Sequence, residues 1–145
     1  MASETPAARV APSFLWTGRV LSALSAAFLL VDGGMKLVKP DFVVTKTVEL
    51  GYAESVIVPL GVVLTVCTLL YLIPRTSVLG AILLTGYLGG AVATHVHHGD
   101  SLFEILFPVV FGALLWGGLV LRDPRLCSLV PWRSPNGDPV PQVPE

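Results

Sequence analysis

Charge is so sparse in the middle of this sequence that it marks the fold. Residues 20–31, 55–74, 76–99 and 105–121 contain no Asp, Glu, Lys or Arg. A helix that crosses a bilayer needs roughly 20 apolar residues, with about 17 as a lower limit. The second, third and fourth runs reach that length directly. The first reaches it when read from Phe14 to Val31, with Arg19 extending its long stem along apolar surface and its head to water. Four spanning helices are therefore predicted, over residues 14–36, 55–73, 77–97 and 102–121. A soluble bundle would need a polar face on each helix, and none of the four runs offers one.

Composition agrees. The chain has 145 residues, of which 53% are hydrophobic and 13% charged, whereas an ordinary soluble domain is about 25% charged. A net charge of −1 argues against a nucleic-acid partner. Cys67 and Cys127 stand far apart with no CxxC, which supplies neither a disulfide framework nor a zinc pattern. The first run contains "SALSAAF", which looks like a leader cleavage site, but it continues into Asp32 and Lys36, so the span is expected to be retained.

The connections are short. "PRTS" joins the second and third spans with a stop and a hydroxyl expected to cap the next helix. "HHGDS" joins the third and fourth, with Asp100 or Ser101 as cap. The longer connection, residues 37–54, places Val43, Val44, Thr47 and Val48 on one face between Pro40 and Gly51. It reads as a short amphipathic helix, about residues 40–50, lying on the membrane surface. Residues 1–13 and 130–145 read as disordered tails. The fold class is thus all-α, an integral membrane four-helix bundle with an interfacial helix between spans one and two, occupying residues 14–129. Arg9, Arg19, Arg75, Arg122, Arg125 and Arg133 fall on one side, and Lys36, Lys39 and Lys46 on the other. This predicts a multi-pass inner-membrane protein with cytoplasmic termini.

Each span has a stripe unlike lipid. These are Gly18, Ser22, Ser25, Asp32 and Lys36 in the first; Glu54, Val58, Gly61, Thr65 and Thr68 in the second; Ile82, Gly86, Gly90, Ala93 and His97 in the third; and Glu104, Pro108, Phe111 and Leu115 in the fourth. If these stripes face one another, Asp32, Lys36, Glu54, His97 and Glu104 form a polar vestibule at the outer end, a candidate ligand site. Gly86 and Gly90 form GxxxG, which predicts close helix packing. His95, His97 and His98 admit three readings: interfacial side chains, a proton- or ligand-handling cluster, or a metal site. The last is weak, because only His95 and His98 have a usable spacing and no matching pair exists elsewhere. No nucleophile with a base, phosphate loop or haem attachment motif is present, so a stand-alone enzyme is not expected.

The segments "DGGMKLVKP", "LGY", "CTLLYLIPRTSVLGAILLTGYLGGAVATHV" and "FPVVFGALLWGGLVLRDPRL" resemble the DoxX-like family of small bacterial membrane proteins, over residues 24–129. The resemblance implies four transmembrane helices. The family is named after a subunit of an archaeal thiosulfate:quinone oxidoreductase, and related members are membrane partners in oxidative-stress complexes. An arginine commonly follows "HV" in the family, where this chain has His97. The resemblance therefore implies an accessory membrane subunit linked to redox or quinone chemistry, with a membrane redox partner or a second copy of itself as company. Quinone is the one cofactor the vestibule would suit. A membrane scaffold acting through helix contacts, and a small-solute or proton transporter working as an oligomer, are the alternatives.

Overall fold

The computed structural model describes residues 12–122 and Leu126. Five α-helices follow one another: α1 (Pro12–Val38), α2 (Asp41–Glu49), α3 (Ile57–Leu72), α4 (Ser77–His98) and α5 (Leu102–Arg122). A single 3-10 turn, Glu54–Val56, leads into α3. No strand occurs among the described residues. Four segments are long and apolar enough to cross a membrane: Leu15–Val38, Glu54–Leu72, Ser77–His98 and Leu102–Arg122. The stretches read as tails lie outside the described residues, apart from Pro12 and Ser13. Those two form the start of α1, where proline's fixed φ suits a first turn.

The four long helices stand in a ring. α1 packs on α3 and α5, and α4 packs on α3 and α5. Lipid is as apolar as leucine, so apolar burial alone does not hold such a ring; close packing and hydrogen bonds do. Three glycine contacts provide the closeness. Gly18 of α1 lies against Leu121 and Gly118 of α5, and Gly33 of α1 against Gly61 and Thr65 of α3. Gly80 of α4 lies against the Tyr71 backbone of α3, where a Cβ would come within 2.5 Å of Tyr71 Cα.

Tyr71 supplies the polar tie. It is fully buried. Its hydroxyl lies 2.8 Å from the Leu115 carbonyl oxygen of α5 and 2.9 Å from Ser22 Oγ of α1. The phenol has one proton to donate, and the carbonyl can only accept. Serine completes the chain with a proton of its own. One side chain thus joins three helices around a core of Ala26, Leu29, Leu64, Cys67, Leu84 and Leu115.

The buried stripe of α1 includes Gly18, Ser22, Ser25 and Leu29, as the sequence suggested. That of α4 does not match. Its buried residues are Ser77, Gly80, Ala81, Leu84 and Leu88. Ile82, Gly86, Gly90, Ala93 and His97 are all exposed. The expected packing role of Gly86 and Gly90 is therefore corrected: a Cβ at either would meet nothing within 4 Å. The close-packing glycine of α4 is Gly80, one turn and a half earlier. The cap of α4 also differs. Thr76 makes no side-chain cap bond; its hydroxyl donates to the Leu70 carbonyl at 2.8 Å, closing the end of α3 instead.

Candidate functional site

α2 lies across the end of the bundle opposite the α3–α4 turn. It has no buried residue. Two residues in left-handed conformation bracket it, Lys39 (φ 55°) and Gly51 (φ 88°). Lys39 Nζ meets Glu54 Oε1 at 2.5 Å, tying the start of this connection to its finish. Beneath α2 is a cavity of about 520 Å³, within the few hundred to about 1,000 Å³ usual for small-molecule sites.

The cavity changes character along its depth. Its floor is aromatic: Phe28 of α1 stacks on Phe111 of α5 at 4.4 Å between ring centroids and meets Phe107 edge-on at 5.6 Å. Leu29, Leu88 and Pro108 complete the floor. Pro108 has no N–H to return to the Glu104 carbonyl, which favours a bend in α5 at this level. Nearer the end of the bundle the wall becomes polar, with Asp32, Lys36, Lys46, Tyr52, Thr94 and His95.

These polar groups are held in place. Lys36 donates to Asp32 one turn earlier at 2.5 Å, with both side chains partly buried. Tyr52 and Thr94 share a hydrogen bond of 2.6 Å between the α2–α3 connection and α4. His95 Nδ1 lies 2.6 Å from Asp100 Oδ2, and His98 Nδ1 lies 2.8 Å from Asp100 Oδ1. The two imidazole hydrogen bonds, His95 first, hold the Asp100 carboxyl below its ordinary range. With Nδ1 engaged by Asp100, the nitrogen His95 has left to offer a ligand is Nε2.

The structure thus divides the five vestibule residues. It brings Asp32 and Lys36 together in the cavity wall. Glu54 is outside, paired with Lys39. His97 is exposed on the far face of α4, because the stripe that placed it inward is rotated away from the core. Glu104 is exposed and accepts from Ser101 N (2.9 Å) and Ser101 Oγ (2.8 Å). That is the glutamate half of a capping box at the start of α5. His95 is the histidine that reaches the cavity. Among the described residues, no group of three or more His, Cys, Asp or Glu could hold a metal ion; the weak pair His95 and His98 is engaged with Asp100 instead.

Tyr52, Tyr87 and Thr94, which also line the cavity, escaped the sequence reading; the face of α2 with Val43 and Thr47 was legible as amphipathic, but not as the cover of a cavity. A signal for the aromatic floor was present: Phe103, Phe107 and Phe111 recur every four residues and so share one face of α5.

No curated protein matches the chain, and no solved structure does. The model of the DoxX-like family matches residues 20–118, which take in all of α2, α3 and α4 and most of α1 and α5. With four apolar helices long enough to cross a bilayer and a family match over more than half its length, this chain is a multi-pass membrane protein belonging to the DoxX-like family.

Proposed function

We propose that this protein is an accessory membrane subunit that holds an amphipathic, quinone-like molecule in the cavity under α2. The supporting observation is the gradient within that cavity, from the Phe28–Phe107–Phe111 floor to the Asp32–Lys36–His95 rim. A quinone head group needs a hydrogen-bond donor at its carbonyl oxygen, and Lys36 supplies one; His95, with its Nδ1–H given to Asp100, leaves Nε2 to accept from the hydroxyl of the reduced form. The quinone ring needs an aromatic face and its tail an apolar slot. Phe28 and Phe111 supply the first, and the lower cavity the second. In this reading the cavity residues bind and orient the molecule, and the electrons come from a partner.

The test is a titration of the detergent-solubilised protein with a short-tailed quinone, followed by thermal unfolding. A rise in the unfolding temperature that saturates, and that Lys36→Met and Phe111→Ala weaken, supports the reading. No rise at any concentration ends it.

The same reading places the chain in a bacterial inner membrane with cytoplasmic termini. Arg19, Arg75 and Arg122 share the end that holds the termini of the bundle, while Lys36, Lys39 and Lys46 share the other. The surplus of positive charge on the first end, with Arg9, Arg125 and Arg133 added from the sequence, follows the positive-inside rule. Reporter fusions at each terminus test the orientation.

A second reading has an observation of its own. Gly89 is exposed, outside the cavity lining, and leaves open space on α4, which suits a scaffold that receives another helix there. It predicts that Gly89→Leu, outside the cavity lining, abolishes association with a partner and leaves quinone binding intact.

A further inference from the structure

The opposite end of the bundle has a crevice of its own. It measures about 270 Å³ and is lined by Leu15 and Arg19 of α1, Pro74, Ser77 of α4, and Leu119 and Arg122 of α5. Two arginines line one small space. No carboxylate lies at this end among the described residues: Asp32, Asp41, Glu49, Glu54, Asp100 and Glu104 all belong to the other. Two like charges lining one crevice repel each other, and an anion between them relieves that repulsion.

Arg122 is already positioned for one. Its guanidinium lies over the Tyr71 ring, 5.2 Å from the centroid, and Tyr71 is fixed by its bonds to α1 and α5. An arginine ordered in advance loses less freedom when it binds. The start of α4 adds to the field, since Thr76 leaves the first-turn N–H groups without a side-chain cap, and those groups carry the positive end of the helix dipole.

The setting indicates what kind of anion. The crevice lies where α1, α4 and α5 begin or end, at the level where spanning helices leave the hydrocarbon. Trp16, one turn from Arg19 and 67% exposed, suits the headgroup layer, where tryptophan collects. Leu15, Pro74 and Leu119 give the crevice apolar walls. Arginine forks match phosphate oxygens two at a time, and basic pockets between helix ends are suited to anionic headgroups. We propose that this crevice binds the phosphodiester of an anionic membrane lipid, Arg19 and Arg122 clasping the phosphate while the acyl chains run out along the bundle.

The test is native mass spectrometry of the full chain with phosphatidylglycerol or phosphatidylcholine added to the detergent. One phosphatidylglycerol per chain is expected to survive activation in preference to phosphatidylcholine. Retention should fall about tenfold or more in Arg19→Gln/Arg122→Gln, since each charge-assisted bond is worth about a decade. Arg122→Lys, which keeps the charge and loses the fork, should fall in between. Arg75→Gln lies outside the crevice and should match the parent. If the double variant does not fold, Arg19→Gln alone, at an exposed position, carries the same expectation in smaller degree. Retention unchanged in the arginine variants overturns the proposal. So does an equal loss in Arg75→Gln, because the charge of the whole end would then be the cause. Displacement of the lipid by millimolar inorganic phosphate overturns the lipid assignment in favour of a free anion site.

Discussion

Replacing Gly80 by alanine should break the hairpin of α3 and α4, and the same change at Gly86 or Gly90 should not. The added Cβ at position 80 would overlap the Tyr71 backbone nitrogen and stand 2.5 Å from Tyr71 Cα and 2.8 Å from the Leu70 carbonyl carbon. Carbon atoms in contact sit about 3.5–4.0 Å apart, so the helices must separate by roughly 1 Å at this level. Backbone atoms cannot rotate out of the way as a side chain could. The cost therefore belongs at the upper end of the overpacking range, about 3 kcal/mol. At Gly86 and Gly90 a Cβ meets nothing, and alanine's better helix propensity should stabilise by up to about 1 kcal/mol. Equilibrium unfolding in mixed detergent, followed by circular dichroism, separates the two cases. The reasoning is refuted if Gly86→Ala destabilises as much as Gly80→Ala, which would mean that GxxxG does pack within the chain.

Tyr71→Phe removes the hydroxyl shared by Ser22 and Leu115 and should cost about 1 kcal/mol, measured in the same unfolding assay; no loss would show that the three-helix tie is dispensable. Asp100→Asn tests the histidine clamp. Because the hydrogen bonds from His95 and His98 hold the folded carboxyl below its ordinary range, its contribution is present above about pH 4, the unfolded value, and is lost as pH falls through the depressed folded value. The parent should lose stability over that acid window, and Asp100→Asn should be less stable at neutral pH with a flatter acid limb. Gly99 closes α4 at φ 81°, so Gly99→Ala should destabilise by about 1 kcal/mol, with unchanged stability as the contrary result.

How much of this was legible beforehand differs from helix to helix. The four spans were readable because charge inside a bilayer is costly, so its absence marks the crossing segments. The buried stripe of α1 was readable because Ser22 and Ser25 carry hydroxyls that gain nothing from lipid. On α4 that logic failed. Lipid accepts small and apolar side chains as readily as the core does, so Gly86, Gly90 and Ala93 look the same facing either way. Choosing the stripe by polarity placed His97 inward, when Gly80, Ala81, Leu84 and Leu88 set the packed face and bring His95 to the cavity. Glu54 and Glu104 were legible as ionisable residues near the outer end but not as partners of Lys39 and Ser101. Those pairings depend on how the connections fold, which no helical period encodes. Tyr71 was passed over because a single tyrosine in "LLYLIPRT" shows nothing of the three helices that converge on it.

The cavity under α2 is the centre of the functional account, and its occupant is the most direct thing to measure. Protein extracted gently from its membrane, as the parent, as Ala91→Phe and as His97→Ala, would be examined for bound small molecules by native mass spectrometry. Ala91 lines the cavity, so phenylalanine there takes up ligand space, whereas His97 faces away. The account predicts one quinone-sized species on the parent and on His97→Ala, and none on Ala91→Phe. A bare parent, or a species that survives Ala91→Phe, would contradict it.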